Sequence, residues 1–201
     1  MRNYTYLAIS FLLLFDVAPA QEMKPIKFAE LTINLPTTWV AIPRTILDMF
    51  EEGIASMELD IPRQSYAYGF QSGESDEWFD YPTVLIQVMD DGKLTLAQFK
   101  SLQQYKVANI INDDIPDIKR ILKTMPTGQM YYDETNAILW SKDEIEYADG
   151  EKVTKISGVI RTEHGVFQVI ASSAKESYSS FEKIFISIIT SVIPSRDYEC
   201  K

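Results

Sequence analysis

The sequence predicts an α+β fold: a central antiparallel sheet with helices packed on both faces (an α/β/α sandwich), closed by a C-terminal amphipathic helix. Three observations predict it. Apolar and polar residues alternate in several short segments bounded by turn residues, which is typical of antiparallel strands. Apolar residues recur every three or four positions in two other segments, which is typical of helices. Residues 137–172 alternate around two turns, which indicates consecutive hairpins.

The N-terminal segment has the pattern of a secretory signal. Arg2 precedes an apolar run from Tyr6 to Phe15, and Ala18-Pro19-Ala20 places small residues where a signal peptidase cleaves. The run is about ten residues long, half of what spans a bilayer. We therefore expect cleavage after Ala20 and an exported chain, periplasmic or secreted, whose residues 21–201 form a single domain without stable membrane insertion. An uncleaved N-terminal anchor is the alternative.

The first half of residues 21–201 predicts three strands and two helices. Leu31–Leu35 alternates and stops at Pro36, which predicts a half-buried strand. A short helix is expected from Pro43 to Phe50, with Gly53 closing it. The elements that follow are strands over 65–72 and 82–89 and a helix over 95–110, opened by a capping box of Thr95 and Gln98.

Residues 128–172 predict four strands joined by tight turns. The first two cover 128–133 and 137–147, and Asp149-Gly150 after them is typical of a two-residue turn with positive φ. The next two, 152–162 and 166–172, form a hairpin around His164-Gly165. In the register that this loop implies, the opposite pairs are Gly158 with Ala171, Ile160 with Val169, and Thr162 with Phe167.

The C-terminal segment predicts an amphipathic helix. Ser173 and Glu176 have the spacing of a capping box, and Pro194 ends the segment. Its β-branched residues lower the helix propensity, so this helix depends on packing against the sheet. The predicted apolar stripe consists of Tyr178, Phe181, Phe185, Ile188 and Val192.

Composition excludes several classes of function. The chain has 201 residues and a formal net charge of −10, which disfavours nucleic acid and anionic membranes as partners. One histidine and one cysteine are too few for a tetrahedral zinc site, and phosphate loops and dinucleotide fingerprints are missing, so we expect no metal and no cofactor. Cys200 allows no internal disulfide; it is either an inert thiol or the site of an intermolecular disulfide.

Catalytic residues are not evident in the sequence. His164, the only possible base of a serine triad, is expected at an exposed turn tip. Asp90-Asp91 and Asp113-Asp114 lack the ligand spacing of a calcium loop. Glu144 and Glu146 project from one face of a predicted strand, so a hydrolase with paired carboxylates stays an alternative to the expected non-enzymatic protein.

Aromatic residues between positions 66 and 81 are the best candidates for a contact site. Those of the predicted strand alternate along one face, which favours the core, whereas those after it lie in an acidic loop, which favours a binding surface. The two sets are Tyr66, Tyr68 and Phe70, expected in the core, and Trp78, Phe79 and Tyr81, expected to bind. The sequence thus predicts a protein that binds an envelope protein partner or a small apolar ligand, with its oligomeric state left open.

Three segments of the sequence carry a resemblance to a known family. They are the strand Leu31–Pro36 with Trp39, the helix after Asp91-Gly92, and the closing pattern over residues 165–191. Their order resembles the PsbP-like α/β/α sandwich superfamily, in particular its exported bacterial members of the DcrB type. The resemblance covers nearly all of residues 21–201 and implies binding or assembly roles rather than catalysis. It carries over no functional residue, and the chain departs from DcrB-like members in lacking a lipid-attachment cysteine after the signal.

Overall fold

The computed structural model describes residues 21–29, 31–56, 65–73, 77–89, 96–101, 128–147, 150–161 and 166–194. Its helices are α1 (Arg44–Ser56), α2 (Leu96–Ser101) and α3 (Tyr178–Thr190). Its strands are β1 (Met23–Lys27), β2 (Leu31–Pro36), β3 (Trp39–Ala41), β4 (Tyr68–Ser72), β5 (Thr83–Met89), β6 (Met130–Asp133), β7 (Ile138–Glu146), β8 (Lys152–Arg161), β9 (Val166–Ala174) and β10 (Ile193–Pro194).

Two antiparallel sheets are built from these strands. The large sheet has the order β3-β4-β5-β9-β8-β7-β6, and the small sheet has the order β1-β2-β10. The first face of the large sheet is apolar along its centre, and α3 and the small sheet pack against it. Residues of this shared core include Val84, Ile156 and Phe167 from the large sheet, Ile33 from the small sheet and Phe185 from α3.

The second face of the large sheet carries the other two helices. Leu47 of α1 packs with Leu85 of β5, and Phe99 of α2 packs with Tyr132 and Leu139 of β6 and β7. Helices therefore lie on both faces of a central antiparallel sheet, which confirms the predicted α+β class. Among the described residues there is no helix long and apolar enough to cross a membrane.

Gly158 determines how closely α3 approaches the first face. It lies on β8 between Trp140 and Val169 of the neighbouring strands. A Cβ atom built on Gly158 would lie 2.2 Å from Cγ2 of Ile189 and 3.0 Å from Cγ2 of Ile138. Both contacts involve β-branched side chains that have little freedom to rotate away. The sequence needs glycine here because the helix occupies the volume of a side chain.

The register of the β8–β9 hairpin differs from the prediction by two residues. Ile160 lies opposite Phe167 and Gly158 lies opposite Val169. This register is incompatible with His164-Gly165 as the two loop residues, because that loop requires Val166 to lie opposite Glu163 and Val166 lies opposite Arg161. A shift of two preserves the side-chain alternation, so the same residues still face α3. His164 itself lies outside the described residues.

Two predicted helix boundaries are wrong: the start of α3 and the end of α1. Ser173 does not cap α3: it is fully buried in β9 opposite Thr154, because the ladder continues to Ala174, and α3 starts at Tyr178. The first helix runs through Gly53 to Ser56 instead of closing there. For the helix predicted over 95–110, the structure describes Leu96–Ser101, and the remainder lies outside the described residues.

Tyr66 belongs to the core, as predicted, but it packs near α1 and not on the face that Tyr68 and Phe70 share. β4 begins at Tyr68, so Tyr66 precedes the strand and does not share its alternation. It is buried with Ile42 and Leu47 near α1, whereas Tyr68 and Phe70 contact the first-face core as predicted.

We predict that Gly158→Ala lowers the free energy of unfolding by about 2–3 kcal/mol, because the new methyl group overpacks the contact with Ile189. Gly53→Ala is the matched control. Nothing lies within 4 Å of a Cβ at Gly53, in the last turn of α1, so this change raises stability by up to about 0.5–1 kcal/mol. Urea denaturation measures both, and similar shifts in one direction would contradict the proposed role of Gly158.

Candidate binding pocket

A cavity of about 600 Å³ lies at one end of the large sheet. Its walls come from the loop that precedes β5, from α1, and from the turn between β7 and β8. Register brings these elements together, because Thr83 at the start of β5 and Lys155 near the start of β8 both lie opposite Ser172. We call this cavity the aromatic pocket. Its lining residues are Phe50, Glu77, Trp78, Phe79, Asp80, Tyr81, Tyr147 and Glu151.

The three residues expected to bind all line this one pocket, and they differ in exposure. Trp78 is 42% exposed, while Phe79 and Tyr81 are half-buried. Two further aromatic residues, Phe50 and Tyr147, come from distant parts of the chain. Five aromatic rings therefore contribute to the lining, and Trp78 and Tyr147 present large exposed surfaces.

A buried amide holds the loop that carries Trp78. Gln71 of β4 is only 1% exposed. Its Nε2 donates a hydrogen bond to the carbonyl oxygen of Glu77 at 2.7 Å, and its Oε1 accepts one from the backbone N–H of Phe79 at 2.8 Å. Because the amide bonds the backbone on both sides of Trp78, it fixes the loop relative to the sheet.

Phe79 adopts an unusual backbone conformation in this loop. Its φ is 67°, in the left-handed region that is unfavourable for residues with a Cβ, at a cost of about 1–2 kcal/mol. Two contacts offset this cost: the hydrogen bond from Gln71, and stacking of the Phe79 ring on Phe50, with centroids 4.2 Å apart and an interplanar angle of 24°. Phe79 is thus the internal anchor of the loop.

The position of Phe50 depends on a polar network at α1. Glu51 is 8% exposed, and its Oε1 accepts hydrogen bonds from the backbone N–H of Tyr66 at 2.7 Å and from Nη2 of Arg44 at 3.2 Å. Arg44 also donates from Nη1 to the carbonyl oxygen of Tyr66. These bonds tie α1 to the segment before β4, where the Tyr66 ring contacts Phe50.

The hydroxyls of Tyr66 and Tyr81 stay protonated at neutral pH. Burial raises the pKa of Tyr66 to about 12, and the nearby Glu51 adds to the effect. Burial also raises the pKa of Tyr81, followed by its hydrogen bond to Tyr147 and the charge of Glu151. The charged groups of the lining are therefore carboxylates, and the eight lining residues include no lysine, arginine or histidine.

The carboxylate pair considered for hydrolysis is held by lysines. Oε2 of Glu144 lies 2.6 Å from Nζ of Lys175, and Oε2 of Glu146 lies 3.2 Å from Nζ of Lys152. The hydrogen bond from Lys175 lowers the pKa of Glu144, which makes it a poor proton donor. These groups are exposed on β7 and are not part of the aromatic pocket.

The other sequence candidates do not add to the site. Asp90-Asp91, Asp113-Asp114, His164 and Cys200 lie outside the described residues. Within the described ranges, no group of three or more histidine, cysteine, aspartate or glutamate residues is placed to hold a metal ion.

Comparison with known proteins gives distant structural likenesses. No protein-family model and no curated protein matches the sequence. A protein from Bacteroides thetaiotaomicron is 12% identical at a TM-score of 0.43; the match covers 83% of this chain but 46% of that one, so this chain spans less than half its length. LpqN from Mycobacterium tuberculosis, described as involved in cell envelope biogenesis, is 14% identical at a TM-score of 0.43, with 87% and 91% covered.

Cyanobacterial PsbP from a Synechocystis species is also among these structures. It is 10% identical at a TM-score of 0.40, with 89% of this chain and 96% of that chain covered. Likenesses this distant carry no argument about family or function, so the resemblance to the PsbP-like superfamily stays a prediction. Assignment to the DcrB type stays a prediction.

Three lining residues from distant parts of the chain, and the buried amide of Gln71, were not identified from the sequence. Alternation places Gln71 on the face of the predicted strand opposite Phe70, which predicts an exposed side chain and not a buried one. Phe50, Tyr147 and Glu151 had no signal, because only the fold brings them beside a loop that is distant in sequence.

We predict that Gln71→Leu loosens the loop, because the N–H of Phe79 and the carbonyl of Glu77 lose their partner, at a cost of about 2 kcal/mol. Trp39 and Trp140 are buried, so acrylamide quenching of tryptophan fluorescence reports mainly on Trp78. We expect acrylamide to quench the fluorescence of the Gln71→Leu variant more strongly than that of the unchanged protein.

Gln87→Leu is the matched control for this prediction. Gln87 is also buried on the second face, on β5, but does not line the pocket. We expect its quenching to equal that of the unchanged protein. Equal quenching in the Gln71 and Gln87 variants would show that Gln71 does not hold the loop.

Proposed function

We propose that this chain is an exported, non-enzymatic protein that binds a protein partner in the cell envelope through the aromatic pocket. The observation that carries the proposal is the exposed Trp78 on a loop fixed by the buried Gln71. Tryptophan and tyrosine contribute most where they are rigidly presented, because little conformational entropy is lost on binding. Tyr147, 46% exposed across the pocket lining, adds a second such residue.

The charge of the lining favours a protein partner over a small apolar ligand. Sites for small apolar ligands are mostly apolar and enclose the ligand. Here Glu77, Asp80 and Glu151 bring three carboxylates into the lining. Covering carboxylates with an apolar molecule would remove water without replacing its hydrogen bonds, which is unfavourable. A protein surface supplies donors as well as apolar groups.

The aromatic pocket makes Trp78→Ala the most direct test of binding. We expect this variant to recover at least about tenfold less of the partner from a native envelope extract, as for a contact residue at the centre of an interface. Its melting temperature should change little because Trp78 is partly exposed.

Leu96→Ala is the control for this experiment. Leu96 is 48% exposed, similar to Trp78, but lies on α2 away from the pocket. It should retain the partner. Equal recovery by both variants, confirmed with the purified partner, would rule out the aromatic pocket as the binding surface.

Export is the second part of the proposal, and it is supported by the signal pattern of residues 1–20. We expect the protein in the envelope or external fraction to begin at Gln21 by mass spectrometry. Leu12→Arg interrupts the apolar run and should leave a full-length precursor in the cytosol, whereas Leu12→Ile should be exported normally. A full-length, cytosolic form of the unchanged protein would contradict export.

A further inference from the structure

We infer that the aromatic pocket takes a cationic side chain, lysine or arginine, of its protein partner. The inference rests on the proposed function and specifies the chemistry of the group that enters the pocket. Two independent properties of the lining support it: its aromatic rings and its carboxylates.

The aromatic rings favour a cation. Five of the eight lining residues are aromatic. The face of an aromatic ring carries negative electrostatic potential and attracts ammonium and guanidinium groups, most strongly for tryptophan. Trp78, with 42% of its surface exposed, is available for such a contact, whereas Phe79 is already stacked on Phe50. The exposed indole is therefore the best-placed ring.

The carboxylates favour the same kind of ligand. Glu77, Asp80 and Glu151 are exposed residues that line the pocket, and the eight lining residues that the structure describes include no basic one. Their charges attract a cation and repel an anion, and they discriminate against a neutral alkyl group, which offers them no hydrogen bond. The overall charge of −10 acts in the same direction at longer range, because it accelerates the approach of basic surfaces.

Lysine and arginine satisfy both properties with one side chain. Their aliphatic stems pack on aromatic surfaces while the charged group stays near water and carboxylates. A cavity of about 600 Å³ has room for such a side chain and its flanking backbone. A partner that presents a basic residue beside apolar residues would therefore cover the rings and place its positive charge near the carboxylates at the same time.

The test uses Gly/Ser peptides that differ in one central residue: arginine, lysine, norleucine or glutamate. The indole N–H resonance of Trp78 in the isotopically labelled protein reports binding. Arginine and lysine peptides should bind at least about tenfold more tightly than the norleucine and glutamate peptides. Tetramethylammonium serves as a probe of a small cation without a peptide.

Charge variants separate the acids of the pocket from general electrostatics. Asp80→Asn should lower the affinity for the arginine peptide by about fivefold and leave the affinity for the norleucine peptide unchanged. Glu176→Gln, at an exposed carboxylate outside the pocket, should change neither. Equal weakening by Asp80→Asn and Glu176→Gln would overturn the inference, because any negative charge would then act alike.

The outcomes distinguish this inference from the proposed function. If the arginine and norleucine peptides bind equally well while partner recovery still depends on Trp78, that result would overturn the inference of a cationic side chain and leave the aromatic pocket as the contact site. If tetramethylammonium binds but neither basic peptide does, the inference that a partner's side chain enters the pocket is wrong, and a small quaternary ammonium compound is the ligand instead. Absence of any Trp78 response, together with full partner recovery by Trp78→Ala, would overturn both proposals.

Discussion

The fold depends on the contact between α3 and the first face of the large sheet. α3 is rich in β-branched residues, which form isolated helices poorly, so its stability comes from burying side chains such as Phe185 and Ile189. Gly158 makes the close approach possible. β2 packs into the same core, so displacement of α3 would also uncover Leu31 and Ile33. The apolar residues of this face are therefore committed to the core, and the exposed aromatic residues of the proposed site, Trp78 and Tyr147, lie on loops at the end of the sheet.

The parts of the fold that follow from side-chain alternation could be predicted from the sequence. The strands β2, β5 and β7 were found close to their observed limits. β2 alternates between buried and half-buried residues, whereas β5 is buried on both faces and is recognised in the sequence as a continuous apolar run. Errors arose where a local signal competed with a tertiary one. Ser173 and Glu176 have capping-box spacing, but pairing of Ser173 with Thr154 extends β9 instead. The predicted hairpin register was wrong for a related reason, since the pairing of β8 with β9 is set by their side-chain packing and not by the local turn signal of His164-Gly165.

The site was predictable only in its local part. Trp78, Phe79 and Tyr81 attracted attention because they are aromatic residues in an acidic loop. The left-handed conformation of Phe79 has no sequence signal, since an aromatic residue is among the least expected there. The remaining walls, Phe50 and Tyr147, depend on how α1 and the β7–β8 turn are placed by the sheet, which alternation does not determine. A pocket made from three segments therefore requires coordinates, even when its central loop is recognised.

The features that suit the aromatic pocket to the proposed partner also disfavour self-association of the free protein. Exposed aromatic side chains favour self-association, because burying them against any apolar surface is favourable. Here Trp78 and Tyr147 share their pocket with three carboxylates, so the approach of a second copy would bring like charges together. A basic partner meets the opposite situation, since its charge is attracted and its apolar stem covers the rings. Under the proposed function, negative charge around a rigid aromatic loop would thus disfavour self-association and favour a basic partner through one set of residues.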